Sequence, residues 1–293
     1  MGIDLDGARF LLFARTLGVD FETSATIGRQ WLDLRPGPLA RLLAAYGCAA
    51  GADTVDRLLK GSDGYAEGLL RHLGARDVHV FDVSAYEGAT HLCDLNRPVD
   101  DALKGAYSAV LDGGSLEHVF NFPVAIRNCM EMVRVGGHFL AITPANNFMG
   151  HGFYQFSPEL FYNVLSEDNG YEIVRLLVCE VRRGGRWYAV RDPRILRKRV
   201  TLTNSVPVHM LVVARRKAAV PIFRETPQQS DYRVVWGKHD TAPGALRAAP
   251  PKPPSWRRKT RRWIKSSARR LRSPFDARFF EPIDLDRLNR GGR

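Results

Sequence analysis

A chain of 293 residues with 45% apolar content is long enough to bury one substantial core and still carry extensions. Its longest apolar runs, such as residues 10–14 and 209–214, fall far short of the roughly 20 residues that cross a bilayer, and the opening MGIDLD resembles neither a secretory leader nor a myristoylation signal, so a cytoplasmic protein is expected. The formal charge of +12 would favour acidic partners if it were evenly spread, but nearly all of the excess sits near the end of the chain.

In chain order, residues 7–18 set Phe10, Phe13, Ala14 and Leu17 on one face and close on Gly18, which predicts a short amphipathic helix. Residues 23–28, TSATIG, read as a strand entering a glycine, and residues 37–47 and 65–73 as helices stopped by Gly47 and Gly74. From Val78 the period shortens: VHVFDV, THLCDL, YSAVLD and GHFLAIT are short valine-, leucine- and aromatic-rich strands, with the helical NFPVAIRNCMEMVRV between the last two. SPELFYNVLSEDNG reads as a helix with Pro158 in its first turn, followed by the strands YEIVRLLVCEV and VPVHMLVVARR. Alternating strands and helices imply a doubly wound α/β sheet. Seven residues separate VHVFDV from HLCDL, whereas a parallel crossover usually takes a dozen or more. Either that connection is a tight turn or the two strands are not parallel neighbours.

The four cysteines, Cys48, Cys93, Cys129 and Cys179, are scattered, with no C-x-x-C pair and no histidine at ligand spacing, which predicts reduced thiols and no metal site. Chemistry in an open α/β sheet gathers beyond the carboxyl ends of the strands, where strand order reverses. The residues there are Gly28-Arg29-Gln30, Asp82-Val83, Asp94-Leu95, Asp112-Gly113-Gly114 and the stretch 143–147. An ionised carboxylate has two acceptor oxygens, so Asp82 is placed to accept both hydroxyls of a ribose, and Asp94 to accept from an adenine amino group while the Leu95 amide donates to the ring. Gly113 and Gly114 let the backbone approach a ligand closely. The bland alternative is that these aspartates cap their own turns. His118 is the candidate general base, or else orients its loop; His151 and Tyr154, in the glycine- and aromatic-rich stretch 146–156, are secondary candidates on a lid or a packed connecting loop.

The stretch YSAVLDGGSLEHVFNFPVAIRNCMEMVRVGGHFLAITP resembles the fourth strand, following helix and fifth strand of class I S-adenosylmethionine-dependent methyltransferases, and VPVHMLVVARR resembles that family's antiparallel last strand. The resemblance extends from about Phe21 to Arg216. It implies a seven-stranded, mostly parallel Rossmann-like sheet with an antiparallel last strand and S-adenosylmethionine as cofactor. Methyl transfer to an O, N or C atom of a small-molecule or glycan-like acceptor follows from it. The departure lies at the first strand: the family's Gly-x-Gly-x-Gly loop is replaced by Gly28-Arg29-Gln30-Trp31. Arg29 and Gln30 either contact the cofactor carboxylate or fill the pocket, and the second case would leave a non-catalytic scaffold. A nicotinamide-dependent oxidoreductase would need G-x-G-x-x-G at this turn, which TIGRQW does not supply.

The expected organisation is an N-terminal helix in residues 1–20, a methyltransferase-like domain in 21–218, a Pro/Ala-rich linker in 219–255 and a basic tail in 256–293. Residues 252–272, opening on Lys252 and closing on Arg272, hold ten basic residues and no acidic one, interleaved with Trp256 and Trp263. That composition suits a solvated extension or, more specifically, an anionic membrane surface at the cell's inner face, and nucleic acid less well, since no base-reading motif accompanies it. The segment SPFDARFFEPIDL beyond it is expected to dock back on the domain.

Overall fold

The computed structural model describes residues 2–182, 184–232 and 274–285. The basic stretch 252–272 and most of the Pro/Ala-rich segment lie outside the described residues. No helix among the described residues is long and apolar enough to cross a membrane.

The chain forms strands β1 (Gly2–Ile3), β2 (Thr23–Ile27), β3 (Trp31–Leu32), β4 (Asp77–Asp82), β5 (His91–Leu92), β6 (Tyr107–Asp112), β7 (Val133–Asn146), β8 (Tyr171–Glu180), β9 (Trp187–Val190), β10 (Val208–Arg216) and β11 (Phe280–Ile283). Its helices are α1 (Leu5–Thr16), α2 (Pro36–Ala45), α3 (Ala52–Lys60), α4 (Glu67–His72), α5 (Phe122–Met132), α6 (Pro158–Val164) and α7 (Pro193–Leu196). β1 and β3 form a small parallel pair, and the other nine strands one sheet in the order β11-β9-β8-β10-β7-β6-β2-β4-β5. β2, β4, β5, β6 and β7 run parallel, while β10 is inserted antiparallel between β7 and β8. Counted without β9 and β11, the strands lie third, second, first, fourth, fifth, seventh, sixth, a doubly wound Rossmann-like order with its last strand reversed. The sheet has nine strands rather than seven because β9 extends the edge beyond β8 and β11 extends it further.

Alternation along the central strands sorts the core into two layers. On β6, Val110 faces the cluster containing Phe122, Ile126 and Met130 of α5 and Phe161 of α6, whereas Ala109 and Leu111 face the cluster built by α1 to α4. Phe10 and Leu11 of α1 are fully buried in that second layer, so the N-terminal helix shares the core of the sheet. Asp4 caps it by accepting from the Gly7 amide at 2.8 Å.

β4 and β5 are parallel neighbours, pairing Phe81 with His91 and Asp82 with Leu92, so the short connection is a tight one without a helix. It is possible because β5 is only two residues long. The segment 274–285 docks as expected: β11 pairs antiparallel with β9, Phe275 stacks on Tyr188 at 4.0 Å, and Phe275, Phe279 and Phe280 are buried.

Candidate functional site

Strand order reverses between β2 and β6, the place where open α/β sheets bind their ligands, and Gly28 and Asp112-Gly113 follow the two strands that flank it. Both strand ends are tightly fastened. The Ser115 hydroxyl and the Gln30 side-chain amide each donate to the Ile27 carbonyl at 2.7 Å. Gly28 adopts a left-handed φ of 70°, and a Cβ there would come 2.6 Å from Ser115 Oγ. Gly113 is required for a different reason: a Cβ there would overlap the Oε1 and Cδ atoms of Gln30. Gln30 is 2% exposed and fills the space beside Gly113.

Arg29 turns the other way. Its Nε donates to Glu67 at 2.7 Å, one terminal nitrogen donates to the Glu87 carbonyl at 2.8 Å, and its guanidinium sits 4.0 Å over the Tyr65 ring. It therefore ties the first turn to α4 and to the loop after β4. After Arg29-Gln30 the chain enters β3 instead of a helix, so Trp31, 52% exposed, lies against Tyr65 and the β1 edge and not across Gly28.

Asp82 and Asp94 each cap a turn through one oxygen, accepting from the Ser84 amide at 3.1 Å and the Asn96 amide at 3.0 Å. Asp94 is further held below the ordinary carboxylate range, first by its hydrogen bonds from Asn96. Leu95 is buried, while Val83 and Tyr86 are exposed on the connection from β4 to β5. Turn capping and a nucleoside-binding role are compatible here, because Asp82 is half-buried and Asp94 exposed at the rim.

Asp112 is buried and its Oδ1 accepts from the Ser115 and Leu116 amides at 2.8 and 3.2 Å; burial nonetheless holds its carboxyl above the ordinary range. Its Oδ2 has no hydrogen-bond partner, and neither has Gln30 Oε1. Glu117, in the 3-10 turn Leu116–His118 that follows, is fully buried and held higher still by burial and by the Asp112 charge. His118 is exposed, yet partial desolvation, and then the neighbouring His151, lowers its pKa, which favours the neutral imidazole that can accept a proton.

The stretch 146–156 is fastened over this turn. The Phe153 and Tyr154 amides donate to the Glu117 carbonyl at 2.9 and 3.3 Å, and the Tyr154 hydroxyl donates to the Phe120 carbonyl at 2.6 Å. His151 thereby meets His118 ring to ring at 5.1 Å, and its Nε2 lies 3.4 Å from Glu117 Oε1. The structure thus brings Gly28, Gln30, Asp112, Gly113, Gly114, Glu117 and His118 to one edge, with Asp82, Val83, Asp94 and Leu95 along it, and turns Arg29 aside. Sequence reasoning gave Glu117 and Glu67 no chemical role. The first is signalled only by its place beside His118, the second by nothing near it in sequence.

No protein-family model and no curated protein matches the chain. Among solved structures it is similar to the branched-chain polyamine synthase from Thermus thermophilus, at 14% identity and a TM-score of 0.38 over 76% of this chain and 59% of that one. It is also similar to TehB from Haemophilus influenzae, at 16% identity and a TM-score of 0.35 over 58% of this chain and 63% of that one. A third is a putative S-adenosylmethionine-dependent methyltransferase from Listeria monocytogenes, at 11% identity and a TM-score of 0.37 over 71% and 99% of the two chains. The matched part of this chain spans about three fifths of the first two proteins. The chain's own strand order and register show a doubly wound, Rossmann-like α/β fold with an antiparallel strand inserted beside its parallel half.

Proposed function

We propose that this chain is an S-adenosylmethionine-dependent methyltransferase acting on an O, N or C atom of a small-molecule or glycan-like acceptor. The observation that carries the reading is the gathering of strand-end carboxylates and close-approach glycines at the reversal of strand order, with acceptor atoms there that lack donors. The residues present fit the nucleoside half of the cofactor: Asp82 would hold the ribose hydroxyls, and Asp94 with the Leu95 amide the adenine edge. At the other end, Gln30 Oε1 and Asp112 Oδ2 are buried acceptors suited to an ammonium group. When bound, the cofactor supplies a methyl group on a sulfonium. The chain's part is to align the acceptor with it, exclude water and, through His118 Nδ1 or Nε2, take up the proton that an O–H or N–H acceptor loses.

The position of Gln30 favours a second reading, a non-catalytic scaffold, in which the amide that fills the space beside Gly113 takes the place of the cofactor's methionyl end. Calorimetric titration with S-adenosylmethionine and S-adenosylhomocysteine separates the two. Saturable binding that is lost in Asp82→Ala and weakened in Gln30→Ala, with no response to NADH, supports the enzyme. Folded protein that binds neither sulfur nucleoside, but gains binding in Gln30→Ala, establishes the scaffold.

A further inference from the structure

Glu117 and His151 lie 34 positions apart in the chain, yet the fold sets them face to face. Glu117 is 0% exposed and both of its carboxylate oxygens lack a hydrogen-bond partner. A buried carboxylate without donors is costly unless it stays protonated or positive charge is supplied to it. Its nearest candidate, His151 Nε2, lies at 3.4 Å but does not make a hydrogen bond with it. His118 completes the group, with one nitrogen or oxygen of each residue within 4.8 Å of the others.

We propose that Glu117, His118 and His151 form a binding site for a first-row divalent cation of the zinc class. With bonds of about 2.0–2.1 Å, the edge of a tetrahedral site is about 3.3–3.4 Å, which the Glu117–His151 separation already matches. His118 is exposed, and a side-chain rotation would close the two remaining edges, which now lie within 4.8 Å. Two imidazoles and one carboxylate favour zinc, cobalt, iron or manganese over the all-oxygen sites of magnesium and calcium. Three protein ligands leave a coordination position for an oxygen ligand, such as water or an acceptor hydroxyl. The backbone is set for this arrangement, because the amides of Phe153 and Tyr154 pin the loop onto the Glu117 carbonyl. Gly152, at a φ of 96°, permits the close approach: a Cβ there would lie 2.9 Å from His118 Nδ1. The other histidine pair, His79 and His91, has ring centroids 4.8 Å apart, but no carboxylate groups with it among the described residues.

The proposal concerns metal uptake and needs no bound cofactor; it bears on the cofactor reading at one point only, because a His118 that ligates a metal no longer has a free nitrogen with which to take up the acceptor's proton. The full chain, stripped with a chelator that is then removed, is titrated with Co2+ by visible d–d absorption and with Zn2+ by calorimetry, and its fold is followed by circular dichroism. One equivalent is expected. Affinity should fall on the order of tenfold or more in Glu117→Gln and in His151→Ala, and stay unchanged in His91→Ala. Should Glu117→Gln not fold, His151→Ala, at a partly exposed position, carries the test. No saturable uptake by the folded chain, or uptake unaffected by His151→Ala, would overturn the site.

Discussion

Asn128 is the side chain whose removal should most clearly separate packing from anchoring in this fold. It is 1% exposed on α5, and its Oδ1 accepts from the Val99 amide at 3.1 Å. Its Nδ2 donates to the Arg97 carbonyl at 2.7 Å and the Leu95 carbonyl at 3.3 Å. Three bonds thus hold the segment that follows Asp94 against the helix. In Asn128→Ala, three backbone groups lose their partner. At about 1 kcal/mol for each net bond, and more for any group kept from water, the loss is about 3 kcal/mol. For a domain of this size that corresponds to roughly 6–12 °C in Tm. Asn128→Asp keeps the acceptor for Val99 but aims a carboxylate oxygen at two carbonyls, so at neutral pH it should cost at least as much. Its loss should shrink in acid, where the protonated oxygen can donate. Urea denaturation followed by tryptophan fluorescence measures both variants, with the m-value expected to hold and the midpoint to fall. An Asn128→Ala midpoint corresponding to less than about 0.5 kcal/mol would refute the anchoring argument.

Two further outcomes follow from the same kind of reasoning. Burial raises the Tyr107 hydroxyl to about 12, so the fold keeps it neutral while an unfolded chain would ionise it from about pH 10. Its contribution to stability, about 2–3 kcal/mol at most, is complete below pH 10 and lost as pH rises towards 12; tyrosinate absorbance compared with Tyr107→Phe checks this, and titration of Tyr107 near pH 10 in the folded protein would contradict it. Phe280→Ala in β11 removes a ring 2% exposed that packs with Phe275 and Tyr188 and should cost about 3 kcal/mol, read as a lower urea midpoint and faster proteolysis near residue 280. A change below 1 kcal/mol would mean that the docked segment contributes little.

Much of the parallel half was legible in the chain itself. β6 falls on YSAVLD as expected, because a central strand buried on both faces reads as a run of mostly apolar residues, here ended by Asp-Gly-Gly. α5 and β7 were legible in the same way, from an apolar helical stretch halted at Gly136-Gly137, although the helix passes into the strand at Val133 before the glycines. The two-residue strands β1 and β3 are too short to leave a period, whereas β5 was read within THLCDL; β9 and β11 are joined across a long interval of chain, so neither the nine-strand count nor the edge order was visible. The same holds within the site. Composition and strand ends pointed to Gly28, Asp82, Asp94 and Asp112-Gly113, because residues that follow parallel strands share one edge whatever the strand order. That Gln30 lies on Gly113, that Arg29 is claimed by Glu67, and that His151 returns to Glu117 depend on side chains meeting from different elements. Those meetings are fixed by register and loop path, which only the folded sheet determines.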